Sequence, residues 1–303
     1  MQRRVGVLGA GVMGRGVAEV VARAGHEVVL VDVRQSILDE ARRSIWQSAR
    51  LRPLQGCGDA DHEVVLSRLL TSTKIDTLAD CDFVVENVPE VWELKSRVYP
   101  GLEDVCRPDA VFVANTSAFP ITRIASLVVD PGRVIGVHFM NPVPLKAAVE
   151  LIPGHHTTAE TEQVTRALLS TLDINPIKVN DSCGFVSNRV LMLTINEAAF
   201  LVHEQVSDAE SVDRVFRECF GHPMGPLATA DLIGIDTILH SLDVLLDHYG
   251  DPKFRPCPLL KEMVYAGRLG QKSGQGFFSH GWRPHQPQQP SAVRPHVQRK
   301  ERP

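Results

Sequence analysis

The sequence lacks paired cysteines, a long apolar run and a large excess of charge of one sign. Its six cysteines stand alone, with no CxxC pair and no histidine spacing that would build a zinc site. No apolar run reaches the length of a membrane span. A net charge of -4 argues against nucleic acid or a membrane surface as the main partner. These absences favour a reduced, cytoplasmic protein that needs no metal.

What the sequence does contain is typical of a globular protein. The chain has 303 residues, of which 44% are hydrophobic and 22% are charged. This length exceeds the usual size of one hydrophobic core, so two domains are expected. The segment 280–303 is rich in proline and basic residues and cannot bury enough apolar surface to offset its ordering entropy. A disordered tail is predicted there, with a functional basic tail as the alternative.

Short β-branched runs alternate with amphipathic stretches up to about Asp181. A first strand is predicted over RVGVLGAG, a helix over 12–24 that ends at Gly25, and a second strand over HEVVLVD. Further strand-like runs are CDFVVENV, AVFVANT, RVIGVHF, AAVELI and NPIKVN. This alternation predicts an α/β domain with a parallel, doubly wound sheet.

Beyond Gly184 the periodicity becomes helical. Long runs such as FVSNRVLMLTINEAAFLVHEQV and TADLIGIDTILHSLDVLLDHYG repeat apolar residues at helical spacing. The pattern therefore predicts an α/β domain at 1–181 and an all-α domain at 182–279, joined near NDSCG.

The segment GAGVMG has the spacing GxGxxG through Gly9, Gly11 and Gly14. Alone it is a weak signal, but here it follows a strand, opens a helix and is answered by Asp32, 18 residues after Gly14, at the end of the next strand. Such a Rossmann turn brings its backbone close to a pyrophosphate at the helix N-terminus. Asp32 would bind the ribose hydroxyls, which favours NAD, while Arg34 leaves NADP open. The alternative is a glycine turn without a cofactor.

A histidine closes the apolar run RVIGVHF, and a second apolar run ends in a glutamate. His138 and Glu150 are equidistant from Pro144, so a hairpin or bent connection centred there would make them cross-strand neighbours. The carboxylate would then hold one imidazole nitrogen and make the other a positioned general base. The alternative is a core histidine with structural hydrogen bonds, but Glu150 argues against it because a buried carboxylate needs a partner.

Together these motifs resemble the 3-hydroxyacyl-CoA dehydrogenase family, particularly its short 3-hydroxybutyryl-CoA dehydrogenases, over about 4–278. The resemblance rests on the ordered segments GAGVMGRG, VPEVWELK, NTSAFPI, GVHFMNPV, VELIPG, GFVSNRV, MGPLATADLIGID and GRLGQKSGQGFF. It implies a Rossmann domain that binds NAD and a C-terminal helical domain that forms a homodimer interface.

The resemblance also implies roles for individual residues. His138 and Glu150 match the catalytic pair of the family, and Ser117 and Asn188 match its substrate-contacting serine and asparagine. The residues that it implies around the cofactor are Gly9, Gly11, Met13, Gly14, Asp32, Glu90, Lys95 and Asn115.

Several of these residues also have a purely structural interpretation. Thr116 or Ser117 would cap the helix predicted at PITRIASLV. Asn188 would be a polar residue at a helix start. Glu90 and Lys95 would form a solvated ion pair.

The activity implied is NAD-dependent oxidation of an L-3-hydroxyacyl thioester to the 3-oxoacyl thioester, with His138 as general base. The acyl carrier stays open, because the stretch between the second strand and Cys81 has arginines but no lysine up to Leu70 and an acidic turn at Asp59 and Asp61. Relatives acting on coenzyme A often carry lysines there. The patch that would meet a phosphate or an acidic carrier protein, or form a solvated face, comprises Arg42, Arg43, Arg50 and Arg52.

Three alternatives to the coenzyme A ester therefore remain. The first is the same chemistry on an acyl-carrier-protein-bound hydroxyacyl group, such as glyceryl in polyketide extender-unit biosynthesis. The second is a sugar-acid dehydrogenase that acts on a free hydroxy acid. The third is a non-catalytic, structural NAD-binding protein.

Overall fold

The computed structural model describes residues 2–51 and 62–281. These form two compact units, one with the residues up to Leu191 together with Asp247–Gly250, the other with Met192–Leu246 together with the residues from Asp251 onward. The expectations for Arg52, for the acidic turn at Asp59 and Asp61 and for most of the tail lie outside the described residues.

Within the described part of the chain, the first unit is built on an eight-stranded sheet. Its strands are β1 (Arg4–Leu8), β2 (Glu27–Val31), β3 (Leu69–Ser72), β4 (Phe83–Glu86), β5 (Val111–Ala114), β6 (Val134–His138), β7 (Ala148–Pro153) and β8 (Asn175–Lys178). Their order is β3-β2-β1-β4-β5-β6-β7-β8, and only the pair β6 and β7 is antiparallel. The predicted doubly wound sheet is confirmed.

Helices cover the sheet on both faces, which is why its valine-rich strands are almost wholly buried. One face packs against α1 (Val12–Arg23), α2 (Gln35–Leu51), α3 (His62–Ser67) and α6 (Ala159–Thr171). The other face packs against α4 (Trp92–Val105) and α5 (Ile121–Ala125). Each face thus has its own hydrophobic core.

The edge strand β3 was not predicted from the sequence. Its segment LLTS has only four residues, and Leu70 is 51% exposed. Such a short edge strand has no clear hydrophobic pattern, and it forms because it pairs with β2. The parallel strands end at a common edge, so the residues that follow β1, β2, β4, β5 and β6 are brought together there.

The chain after the sheet is helical, as predicted. Its helices are α7 (Ser187–His203), α8 (Ala209–Arg214), α9 (Pro226–Ile233), α10 (Ile235–Tyr249) and α11 (Pro258–Tyr265). In the second unit, the buried Asp213 carboxylate accepts hydrogen bonds from the backbone N–H groups of Leu227 and Ala228 at the start of α9. No helix among the described residues is long and apolar enough to cross a membrane.

Candidate active site

The turn after β1 has the backbone that a dinucleotide site requires. Gly9 has a φ of +93°, and a Cβ there would lie 2.6 Å from the carbonyl oxygen of Asn87. A Cβ on Gly14 would lie 1.7 Å from the carbonyl oxygen of Gly9, so only glycine fits at either position. A Cβ on Gly11 would meet no atom within 4 Å. The space next to Gly11 is therefore open, and the binding of a pyrophosphate there stays a prediction.

Asp32 follows β2 directly and is fixed beside this turn. Its Oδ2 accepts a hydrogen bond from the N–H of Ala10 at 2.9 Å, and its Oδ1 accepts one from the N–H of Arg34 at 3.2 Å. The carboxylate is thus fixed next to the glycine turn, and its contact with a ribose stays a prediction. Met13 packs partly buried against the core on the α1 side of the sheet, and its contact with a cofactor stays a prediction.

His138 and Glu150 are directly opposite each other on β6 and β7, which confirms the predicted cross-strand pair. Nδ1 of His138 lies 2.8 Å from Oε2 of Glu150, and the two residues are only 7% and 6% exposed. Because an ionised carboxylate only accepts hydrogen bonds, Nδ1 carries the proton and donates it. In the neutral ring, Nε2 is therefore left as the acceptor.

Glu150 is held by the start of α7 as well as by His138. Its Oε1 accepts from the N–H groups of Val186 at 3.0 Å and Ser187 at 2.9 Å, and its Oε2 accepts from the Ser187 hydroxyl at 2.6 Å. Burial alone would raise the pKa of Glu150, but the hydrogen bonds from His138 and Ser187 outweigh it and lower that pKa to about 2. The carboxylate thus stays ionised next to the imidazole.

Because the pKa of Glu150 is lowered, its contribution to the free energy of unfolding should depend on pH. Since the folded-state pKa lies below the ordinary value of 4.5, the ionised carboxylate stabilises the fold above that value, and this contribution is lost as the pH falls from about 4.5 to about 2. We expect the difference in free energy of unfolding between the wild type and Glu150→Gln to be larger at about pH 6 than at about pH 3. Urea unfolding at both pH values measures it.

Asp213→Asn is a control of the opposite sign for this experiment. Burial raises the pKa of Asp213, despite the hydrogen bonds from two backbone N–H groups. The difference in free energy of unfolding between the wild type and Asp213→Asn should therefore decrease as the pH rises. If the difference in free energy of unfolding between the wild type and Glu150→Gln is the same at both pH values, the lowered pKa of Glu150 is contradicted.

Ser117 and Asn188 join the pair from two other elements. The Ser117 hydroxyl lies 3.1 Å from Nε2 of His138, and Nδ2 of Asn188 donates to the carbonyl oxygen of Ser117 at 3.0 Å. The first N–H groups of α5 donate instead to the carboxylate of Asp181. The alternative in which Thr116 or Ser117 caps this helix is therefore wrong. All four predicted catalytic residues lie together.

The loop that carries Ser117 is tied to Glu90. Oε1 of Glu90 accepts hydrogen bonds from the hydroxyl of Thr116 and from the N–H groups of Ala118 at 3.2 Å and Phe119 at 3.3 Å. One carboxylate oxygen therefore binds the loop on both sides of Ser117.

Lys95 lies beneath this loop and is completely buried. Its Nζ donates to both carboxylate oxygens of Glu86, at 2.8 Å and 3.0 Å, and lies 3.5 Å from Oε2 of Glu90. The Tyr99 hydroxyl also donates to Glu86, at 3.1 Å. A solvated ion pair between Glu90 and Lys95 is therefore wrong. Burial raises the pKa of Glu86, and the Lys95 ammonium opposes this rise.

Asn115 follows β5 and connects three strand ends. Its Nδ2 donates to Oδ1 of Asn87 at 2.7 Å, and its Oδ1 accepts from the N–H of Phe139 at 3.1 Å. The amide is thus fixed at the edge where α/β sheets bind ligands. Its contact with the nicotinamide carboxamide stays a prediction.

Three arginines of the predicted basic patch lie within the described residues, and each has a local partner. Arg43 forms an ion pair with Glu40 at 3.0 Å, and the guanidinium of Arg50 lies 5.1 Å from the centre of the Trp46 ring. Arg42 donates to a backbone carbonyl group of β3. Such local contacts are typical of a solvated helix face. A docking role for the patch stays a prediction.

The sequence did not reveal two parts of this site, the Ser187 hydroxyl and the Glu86 carboxylate. Ser187 stands beside Asn188 at the predicted helix start, where serine is a favoured capping residue. Glu86 ends the apolar run FVVE, and a buried carboxylate needs a partner. A glutamate at the end of an apolar run thus predicts a buried partner for Glu86, as it does for Glu150.

Comparison with known proteins identifies the family. Residues 4–182 match the model of the 3-hydroxyacyl-CoA dehydrogenase NAD-binding domain, and residues 184–280 match that of the C-terminal domain. A probable 3-hydroxybutyryl-CoA dehydrogenase of Deinococcus radiodurans is 42% identical over 91% of this chain and 100% of its own. The 3-hydroxybutyryl-CoA dehydrogenase of Bradyrhizobium diazoefficiens is 40% identical over 92% of this chain and 95% of its own.

A solved structure agrees with these relatives. The crystal structure of (S)-3-hydroxybutyryl-CoA dehydrogenase from Ralstonia eutropha is 38% identical and superimposes with a TM-score of 0.86, covering 93% of this chain and 100% of its own. The chain therefore belongs to the 3-hydroxyacyl-CoA dehydrogenase family, and the predicted NAD cofactor and oxidoreductase class are confirmed.

Proposed function

We propose that this protein oxidises the hydroxyl group of an L-3-hydroxyacyl-CoA, of which 3-hydroxybutyryl-CoA is the representative, with His138 as the general base. The observation that carries the proposal is the hydrogen bond from Nδ1 of His138 to Glu150, which leaves Nε2 as a proton acceptor 3.1 Å from the Ser117 hydroxyl. The coenzyme A ester is favoured because the relatives are named 3-hydroxybutyryl-CoA dehydrogenases.

Proton transfer in this proposal is carried out by the His138 and Glu150 pair. Nε2 of His138 accepts the proton of the substrate hydroxyl, and the imidazolium that forms is stabilised by the ionised Glu150 on its other side. When bound, NAD supplies the acceptor for the hydride that leaves C3 of the substrate. Because Glu150 is fixed by the start of α7, the imidazole needs no reorientation during the reaction.

Ser117 and Asn188 are proposed to bind the substrate oxygen. When a substrate hydroxyl takes the place beside Nε2, the Ser117 hydroxyl becomes available as a donor to that oxygen. The Asn188 amide gives one N–H to the Ser117 carbonyl group and keeps a second N–H for the substrate. Both donors then act where negative charge develops.

The turn with Gly9, Gly11 and Gly14 is proposed to hold the pyrophosphate of NAD, and Asp32 its adenosine ribose. Support comes from the open space at Gly11 and from the fixed carboxylate of Asp32. The family resemblance supports the remaining cofactor residues, which are Met13, Glu90, Lys95 and Asn115. For Lys95 an indirect role through Glu90 is compatible with its complete burial.

The helical domain, 182–279, is proposed to form a homodimer interface and to complete substrate binding, while 1–181 binds NAD. Family resemblance supports this division, and the two family models meet between residues 182 and 184. Analytical ultracentrifugation of the purified protein measures the oligomeric state.

The assay that tests the function follows NADH absorbance with three substrates: 3-hydroxybutyryl-CoA, a glyceryl-loaded acyl carrier protein and a free sugar acid. We expect the highest kcat/KM with the coenzyme A ester. A higher value with the carrier protein would replace coenzyme A by that partner. Turnover of the free acid alone would indicate a sugar-acid dehydrogenase, and no turnover of any substrate would favour the non-catalytic alternative. His138→Gln serves as the background control.

A further inference from the structure

Ser187 is the first residue of α7 and contacts both oxygens of the Glu150 carboxylate. Its backbone N–H donates to Oε1 at 2.9 Å, and its hydroxyl donates to Oε2 at 2.6 Å. The other two donors are the N–H of Val186 at 3.0 Å on Oε1 and Nδ1 of His138 at 2.8 Å on Oε2. The hydroxyl makes the shortest of the four hydrogen bonds.

The hydroxyl of Ser187 shares Oε2 of Glu150 with His138. Its Oγ lies 3.4 Å from Nδ1, and both atoms donate to the same oxygen, so they are neighbours and not partners. The two backbone N–H groups hold only Oε1. Without the hydroxyl, the imidazole that Glu150 has to orient would be the sole donor to Oε2 among the residues that the structure describes.

We propose that Ser187 is a positioning residue, which fixes Oε2 of Glu150 so that this oxygen stays aligned with Nδ1 of His138. The inference rests on the proposed role of His138 as general base. Ser187 acts through Glu150 and does not itself exchange a proton with the substrate.

A change in the pH dependence of activity can be assigned to the His138 and Glu150 pair, because few polar groups form hydrogen bonds with it. Within 2–51 and 62–281, the hydrogen-bond partners of His138 and Glu150 are each other, the hydroxyls of Ser117 and Ser187, and the two N–H groups at the start of α7, apart from the backbone bonds of the sheet. His138 on β6 and Glu150 on β7 thus provide each other's only ionisable hydrogen-bond partner in this part of the chain.

The test compares Ser187→Ala and Ser187→Cys with Ser187→Thr. Loss of a hydrogen bond to a charged group should lower kcat roughly 10-fold to 100-fold in Ser187→Ala. The acid limb of kcat/KM should move to lower pH, because a Glu150 carboxylate that is no longer aligned with Nδ1 stabilises the imidazolium less. Ser187→Thr retains the hydroxyl and should restore both values, while the Kd for NAD stays unchanged throughout.

Ser211→Ala is the matched control. In α8, Ser211 donates to the two oxygens of Asp208 in the same way, from its N–H at 2.8 Å and its hydroxyl at 3.0 Å. This variant should keep the wild-type kcat and pH profile. Should Ser187→Ala fail to fold, Ser187→Cys provides the same comparison, since a thiol is only a weak donor.

A Ser187→Ala or Ser187→Cys enzyme with the wild-type kcat and an unmoved acid limb would overturn the inference. So would a Ser187→Thr enzyme as impaired as Ser187→Ala. Full turnover by His138→Gln would instead refute the proposed general base, and that result is read from a separate variant. The two failures are therefore distinguishable.

Discussion

Replacement of His138 by glutamine lowers kcat by a factor of about 10² to 10⁴ and leaves the Kd for NAD unchanged; this is the largest effect on activity that we expect. Glutamine retains a hydrogen-bonding side chain next to Glu150 but has no nitrogen that accepts a proton near neutral pH. The glycine-rich turn and Asp32, which are proposed to bind NAD, remain as they are, so we expect cofactor binding to be preserved. Initial rates of NADH formation and a fluorescence titration with NAD measure the two quantities.

His26→Gln is the control for this experiment, because His26 is a buried histidine with only structural hydrogen bonds. It is 3% exposed, its Nδ1 accepts from the N–H of Arg3, and its Nε2 lies 2.7 Å from the hydroxyl of Thr171. Burial lowers the pKa of His26. This variant should keep its kcat even if it unfolds more easily. A near-normal kcat in His138→Gln would show that His138 is not the general base.

Replacement of Lys95 by methionine is expected to cost about 3 to 5 kcal/mol of the free energy of unfolding, the largest effect on stability. The Glu86 carboxylate is 1% exposed and would lose the ammonium that donates to both of its oxygens. Burial already raises the pKa of Glu86, so the isolated carboxylate would take up a proton and still lack its strongest partner. Urea unfolding of both proteins measures the difference.

A double-mutant cycle separates the ion pair from its surroundings. Tyr99→Phe removes only the hydroxyl that donates to Glu86 and should cost about 1 kcal/mol. The double variant with Glu86→Gln and Lys95→Met should lose less free energy of unfolding than the two single variants lose together, because it leaves no unpaired buried charge. If Lys95→Met loses less than about 1 kcal/mol of the free energy of unfolding, the ion pair of Lys95 and Glu86 contributes little to stability.

Local sequence patterns predict the sheet well, because β1, β2, β4, β5 and β6 are valine-rich or isoleucine-containing runs that are almost wholly buried. The edge strand β3 was not predicted, since LLTS is short and Leu70 is exposed. The His138 and Glu150 pair is also predictable, because both residues are equidistant from Pro144 and a β-hairpin converts equal distance into contact.

The rest of the site depends on contacts that no local pattern encodes. Ser187 contacts Glu150 across 37 residues of sequence, because the fold brings the first residue of α7 next to β7. The burial of Lys95 likewise depends on how α4 packs against the end of β4. Sequence periodicity indicates which face of a helix is apolar, but it does not say which carboxylate a lysine on that helix will meet.

The antiparallel pairing of β6 and β7 has a consequence for the evolution of substrate range. His138 and Glu150, the proposed proton-transfer pair, both come from the ladder of the sheet, whereas Ser117 comes from a loop. Loops tolerate insertions and changes of sequence far better than paired strands do. Directed evolution of the acyl group accepted by this protein should therefore succeed at positions other than Glu90, Asn115 and Ser117 in the loops after β4 and β5. A one-residue insertion in β7 ahead of Glu150 would instead turn Glu150 to the opposite face and end turnover.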